Sequence, residues 1–254
     1  VSVAITLSAE RRGSLSVYPV TPLRELGVDA FVSDRFGGVS DGPYESLNLG
    51  LHVGDDITHV LENRHRLAQA AGVDPNHLAI VRQVHGDTVL AIDGAPLDVE
   101  ADGLVTSSSQ LALAMLVADC VPTLLVDESS CAFAAVHAGW RGLAANVLEH
   151  AVAHFERPAT LHAFLGPSIS FEGYQVGPDV ARLFVDVPDA VHPDVDDRSR
   201  LDLRCVAAWQ LRQLGVADER ILVSTQVTDG GETFFSDRAQ RPTGRFALVA
   251  KATS

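Results

Sequence analysis

Between residues 111 and 137 the chain carries three apolar runs, LALAMLV, PTLLVD and CAFAAVH, separated only by short breaks. Each has the length of a strand, and breaks that short leave no room for a crossover helix. Runs placed in this way lie in hairpin order, which argues against a parallel doubly wound fold.

The flanking sequence adds both kinds of element. SLSVYPV alternates apolar and polar residues as a strand does, and VDAFVSD reads as a second strand ending at the glycine turn Gly37–Gly38. Over residues 55–71, Ile57, Val60, Leu61, Leu67 and Ala71 recur at helical spacing, and Gly72 supplies a stop. HLAIVRQVHG and DTVLAID read as a pair of strands about a turn at Gly86–Asp87. A helix is expected over 143–155, entered through Ala138–Gly139. LHAFLGP, ILVS and RFALVA read as strands, and 178–186 and 203–214 as helices. The expected fold class is mixed α/β: a layered sandwich of mixed and antiparallel sheets with helices outside. No repeat, low-complexity tract or Pro/Ser linker interrupts the sequence, so residues 1–254 are expected to form a single domain.

Composition narrows the function classes. A chain of 254 residues can bury a substantial core without disulfide staples. A net charge of −14 argues against a general binder of nucleic acid or membrane surfaces, while leaving room for a local basic pocket. Three widely spaced cysteines, Cys120, Cys131 and Cys205, make no disulfide framework. No apolar run reaches the ~18 to 20 residues of a membrane helix, and the first residues lack the order of a signal peptide. A cytoplasmic location and a monomer are expected.

Three segments each place a metal-ligand type at a strand end beside a tight turn: RQVHGDTV with His85, VADCVPTLLVD with Cys120, and AAVHAGWRG with His137. Taken singly, such a cysteine is more often a small core residue, and such a histidine a solvated one. Their separations match no zinc-finger spacing. Chemistry favours them as a set, because two imidazoles and a thiolate suit zinc, with copper as competitor. Three protein ligands also leave one position open, as catalytic zinc sites require. Cys131, Cys205 and the remaining histidines, His52 among them, share no pattern and are assigned to core or surface. The acidic stretch DVPDAVHPDVDD (186–197) reads as a solvated loop.

The motifs SDRFGGVS, ESLNLGLHVGDD, ENRHRLA, RQVHGDTV, DGLVT, ADCVPTLLVD, AAVHAGWRGL, LGPSIS and FFSDRAQRPTGR occur in this order. Together they resemble the YfiH-like, laccase-domain family, also labelled multicopper polyphenol oxidase or peptidoglycan editing factor, over roughly residues 28–250. The resemblance implies a layered α/β fold related to the catalytic domain of a bacterial deamidating toxin. It also implies one metal, generally zinc, on His85, Cys120 and His137. The implied activity is zinc-dependent phosphorolysis of adenosine, inosine and methylthioadenosine, with adenosine deamination. The implied partners are a purine nucleoside and phosphate.

Within that resemblance Arg35 and Arg141, each beside glycines, suit a phosphate, since a guanidinium fork matches its oxygens. Asn48 and Gln83 are candidates to hydrogen-bond purine or ribose, or to lock turns. Asp119 is a candidate proton shuttle or a group orienting a ligand. The chain departs from the family where a Cys-Thr pair often precedes FFS: here Gln226 and Val227 stand near that place, and Asp237–Arg238 replaces the usual Arg-Arg. Three alternatives to the nucleoside enzyme follow. One is a copper polyphenol oxidase, disfavoured because multicopper sites need paired histidine motifs and this chain has no His-x-His. The others are an amidase editing peptidoglycan precursors, with Cys120 as nucleophile or ligand, and a non-catalytic metal-binding protein.

Overall fold

The computed structural model describes residues 2–95, 98–230 and 232–253, and two sheets dominate it. A six-stranded sheet runs Glu10–Arg12, Leu15–Pro19, Val28–Ser33, Phe246–Ala252, Ala112–Val117, Leu78–Ala79, antiparallel except in its last pair. A seven-stranded sheet runs Val3–Ile5, Ile221–Ser224, Leu161–Leu165, Val121–Asp127, Phe133–Ala138, Gly103–Thr106, Val89–Ala91. Its middle pairs are antiparallel and its outer pairs parallel.

Side chains alternate faces along a strand, and here both faces are covered. In Ala112–Val117, residues Leu113, Met115 and Val117 join the core between the sheets, while Ala112, Ala114 and Leu116 face outward into another apolar cluster. In Phe133–Ala138, Phe133 and Ala135 face the same inter-sheet core, and Ala134, Val136 and Ala138 face away from it. Two-sided burial is why these runs read as continuously apolar. The helix Ile57–Ala71 covers the outer face of the six-stranded sheet through Leu67, Ala68 and Ala71. It is capped by the Asp56 carboxylate at the Thr58 N–H and ended by Gly72 at φ 68°. Leu143, Leu148, Val206 and Leu211, from the helices Trp140–Ala144, Val147–Val152 and Leu203–Gln213, cover the seven-stranded sheet. The order helix, sheet, sheet, helices is the layered α/β sandwich expected.

Five local expectations need correction. Residues 77–93 do not form a hairpin: Leu78–Ala79 pairs in parallel with Ala112–Val117, and Val89–Ala91 pairs in parallel with Gly103–Thr106 in the other sheet. The N–H groups of Val84, His85 and Gly86 all donate to the Asp102 carboxylate, so none is left for a hairpin ladder. Of the three closely spaced runs, the first belongs to the six-stranded sheet and only the other two form a hairpin. Cys131 lies exposed in the turn of that hairpin at φ 57°, before the strand begins. The helix over 143–155 is instead two short helices broken at Asn146, which adopts the left-handed conformation at φ 63° that asparagine tolerates. Within 186–197, Val191–Pro193 is a strand of a small antiparallel sheet with Ser199–Leu201 and Gln175–Val176.

Candidate metal centre

The chain passes twice between the sheets near one point, and each passage carries a ligand type. Residues 118–120 lead from one sheet into the other and end on Cys120; residues 80–88 do the same and carry His85. His137 is the penultimate residue of Phe133–Ala138, opposite Pro122 in the ladder. The Cys120 Sγ and one nitrogen from each imidazole all lie within 4.8 Å of one another. The two rings meet edge to face with centroids 4.7 Å apart.

Asp102, wholly buried, organises this corner. Its Oδ1 accepts from His137 Nδ1 at 2.8 Å and from the His85 N–H at 2.9 Å; its Oδ2 accepts from the Gly86 N–H at 2.6 Å. With Nδ1 committed as donor, His137 is left with Nε2 as its ligand nitrogen. The same carboxylate holds His85 in the left-handed region at φ 62°. Gly139 is required for contact: a Cβ there would stand 2.8 Å from Cys120 Sγ. A Cβ on Gly142 would stand 2.9 Å from the Gly86 carbonyl oxygen, so the helix after His137 lies directly on the His85 turn.

Burial alone would raise the Cys120 thiol, but His137 and His85 beside it reverse that and bring it down to about 6. Burial would likewise lower His137, and the Cys120 thiolate with Asp102 lifts it to about 9. Asp102 stays below the usual carboxylate range: burial would raise it, but the bonds from His137 and the Gly86 and Val84 N–H groups outweigh this. The corner thus favours a thiolate beside an imidazolium, whose Nε2 proton a metal ion would replace on binding. Two nitrogens and one sulfur, converged and with one imidazole locked by a carboxylate, fit zinc, and copper second.

The three side chains line a cavity of about 580 Å³. Six arginines line it as well: Arg64, Arg82, Arg141, Arg238, Arg241 and Arg245. Arg82 pairs with Glu100, and Arg241 with Asp237. The Arg141 guanidinium lies over the Trp140 ring at 4.4 Å and that of Arg238 over the Tyr174 ring at 5.1 Å, both rings also lining the cavity. Burial, then the charge of Cys120, pushes the Tyr174 phenol well up, so it remains a proton donor.

Of the other expected residues, Arg141, Asp119 and Gln83 line this cavity, and Arg35 and Asn48 do not. Asp119, at φ 87°, accepts from Thr228 Oγ1 at 2.6 Å and from the Arg238 N–H at 2.7 Å, tying two segments to the cavity wall. The Gln83 amide pairs reciprocally with the N–H and carbonyl of Leu116, extending the sheet edge. Arg35 donates to the Glu45 carbonyl and lies over the Phe235 ring. Asn48 is wholly buried, bonded to the Gly50 and Arg245 N–H groups and to Asp55. Asp102, Arg64, Arg245, His52 and Tyr174 were not singled out in the sequence. Of these, the sequence marks only Asp102, as an acid directly before the apolar run Gly103–Leu104–Val105, and nothing there points to its partners.

A family model described as multi-copper polyphenol oxidoreductase laccase matches residues 29–252. A Shigella flexneri protein named purine nucleoside phosphorylase YfiH is 40% identical over 237 residues, covering 91% of this chain and 96% of its own. A purine nucleoside phosphorylase of Corynebacterium glutamicum is 40% identical, covering 89% and 95% respectively. The crystal structure of YlmD from Geobacillus stearothermophilus superposes with a TM-score of 0.89 at 31% identity, covering 98% of this chain and 99% of that one.

Proposed function

The chain belongs to the multi-copper polyphenol oxidoreductase laccase family, and from that membership we propose that it is a purine nucleoside phosphorylase working at His85, Cys120 and His137. The observation that carries this reading is a cavity lined by six arginines, open onto the ligand triad, in a chain of net charge −14. Charge of that sign in that place suits a small anion, as two relatives named for phosphorolysis would need.

In phosphorolysis a phosphate oxygen attacks C1′ of the ribose, the bond from C1′ to N9 breaks, and the purine leaves with the electron pair and takes a proton. Arg141 and Arg238, each braced on an aromatic ring, are placed to hold the phosphate in guanidinium forks. Asp119 serves by fixing the backbone of Arg238, since both its oxygens are engaged. Tyr174, kept protonated by burial, can donate to the departing base. Zinc, with copper second, is the ion proposed for the triad; when bound it supplies a Lewis acid at the cavity wall.

Adenosine, inosine and methylthioadenosine are the proposed substrates, with adenosine deamination at the same cavity. Laccase chemistry draws less support, because the only ligand cluster among the described residues has three members and makes one mononuclear site. An amidase acting on peptidoglycan precursors is a second reading, favoured by the Cys120 thiolate beside His137. No helix among the described residues is long and apolar enough to cross a membrane. We further take residues 1–254 as one domain, monomeric and cytoplasmic.

The test is base release from inosine and adenosine, with and without phosphate, followed by chromatography, for wild type and Cys120→Ala. Phosphate-dependent release of hypoxanthine or adenine, lost in the variant, is expected. No release from folded, zinc-loaded wild type would overturn the phosphorylase and direct the assay to cell-wall precursor amides.

A further inference from the structure

Attack by phosphate needs one anion site, and the cavity's arginines include two separate sets. Arg141 and Arg238 form the first. A second lies where Arg64, Arg245 and His52 meet, and the turn at 48–50 assembles it. The Leu49 carbonyl accepts from Arg64 Nε at 2.9 Å, and the Leu49 N–H donates to the Arg245 carbonyl at 3.1 Å. Asn48 Oδ1 accepts from the Arg245 N–H at 2.9 Å. A Cβ on Gly50 would stand 2.9 Å from Arg245 Cγ, so only glycine lets that side chain lie under the turn. Asn48 therefore acts as the scaffold of an arginine pair.

Among the described residues, the bond to Leu49 is the only hydrogen bond of the half-buried Arg64 guanidinium, and no carboxylate lies within ion-pair distance of it. Arg245 shares Asp237, at 3.5 Å, with the closer Arg241 at 2.5 Å. Burial lowers Arg64 to about 10, and lowers His52, which Arg245 and Arg64 depress further. A cation withdrawn from water without a counter-charge destabilises the fold, so its presence beside a ligand cavity points to an anionic ligand that supplies the charge.

We propose that Arg64, Arg245 and His52 bind the 5′-phosphate of a purine nucleoside monophosphate whose base and ribose take the nucleoside's place. This rests on the nucleoside reading above. The cavity, at about 580 Å³, falls within the range that encloses ligands of this size. A free inorganic phosphate shares the headgroup chemistry, so the experiment separates the two.

Zinc-loaded protein is titrated calorimetrically with AMP and with adenosine, each with and without saturating inorganic phosphate. AMP is expected to bind at least about tenfold more tightly than adenosine, with that advantage surviving saturating phosphate, as charged pairs at a ligand group can supply. The advantage should shrink below about threefold in Arg64→Gln and in Arg245→Gln, and be partly kept in Arg64→Lys, with melting curves confirming the fold. AMP binding no tighter than adenosine, loss of the advantage in saturating phosphate, or its persistence in the double glutamine variant would each overturn the proposal. Should the variants not fold, the wild-type comparison with and without phosphate decides it. An AMP advantage without base release would refute only the phosphorylase; base release without the advantage would refute only this second subsite.

Discussion

At the scale of single residues, the centre depends on a carboxylate that touches no substrate. Asp102 receives three backbone N–H groups and the His137 imidazole, so its replacement reaches two of the three ligands at once. In Asp102→Asn, either orientation of the amide turns an N–H donor toward another donor. Zinc affinity is expected to fall by about 10- to 100-fold, the usual cost of losing such a partner. Chelator competition measures it, and an unchanged affinity would remove Asp102 from the account. His85, Cys120 and His137 were legible as metal-ligand types beside tight turns, although His85 stands in the connection between Leu78–Ala79 and Val89–Ala91 and not at a strand end. Asp102 was not, because its partners lie 16 to 18 and 35 residues away in sequence. Arg35 was read from neighbouring glycines, yet those glycines serve the backbone. A Cβ on Gly38, for instance, would stand 2.1 Å from the Ser46 carbonyl oxygen.

Among the elements, the hairpin of Val121–Asp127 and Phe133–Ala138 supplies both Cys120, just before it, and His137. Its far end is closed by Asp127, whose carboxylate accepts from the hydroxyls of Ser129, Ser130 and Thr160. Burial would raise this acid, but those bonds prevail and hold it at about 2, against a usual 3.8. A folded value below the unfolded one means that the stabilisation is complete above about 3.8 and is lost as pH falls toward 2. Asp127→Asn should therefore cost about 1–3 kcal/mol near neutrality. Urea melts should show the gap to wild type closing between pH 4 and 2, and a gap that widens there would contradict the assignment. Helix periodicity was readable over 55–71, where a cap and a glycine stop flank it. It misled over 143–155, since a tolerated left-handed asparagine leaves no mark in the apolar pattern.

For the molecule as a whole, the layered sandwich could be read from apolar runs separated by breaks too short for helices. Which sheet each strand joins could not, because burial on both faces removes the polar alternation that would label a side. The two sheets are held together by the core of Met115, Leu124, Phe133, Phe164, Phe246 and Leu248. Leu248→Ala, at a wholly buried position in that core, is expected to cost about 2–5 kcal/mol, read as a lower urea midpoint. A cost near zero would mean that the layers are joined elsewhere. The cavity's arginines also sit inside a strongly acidic body, and the two fields act at different ranges. Beyond about 8 Å at physiological ionic strength, ions in solution screen the inner cations from an approaching molecule. A polymer of phosphates thus meets a repelling exterior along its length, whereas a single small anion that reaches the mouth falls into a positive well. That contrast in charge would favour a small anion over a polyphosphate chain at the cavity mouth.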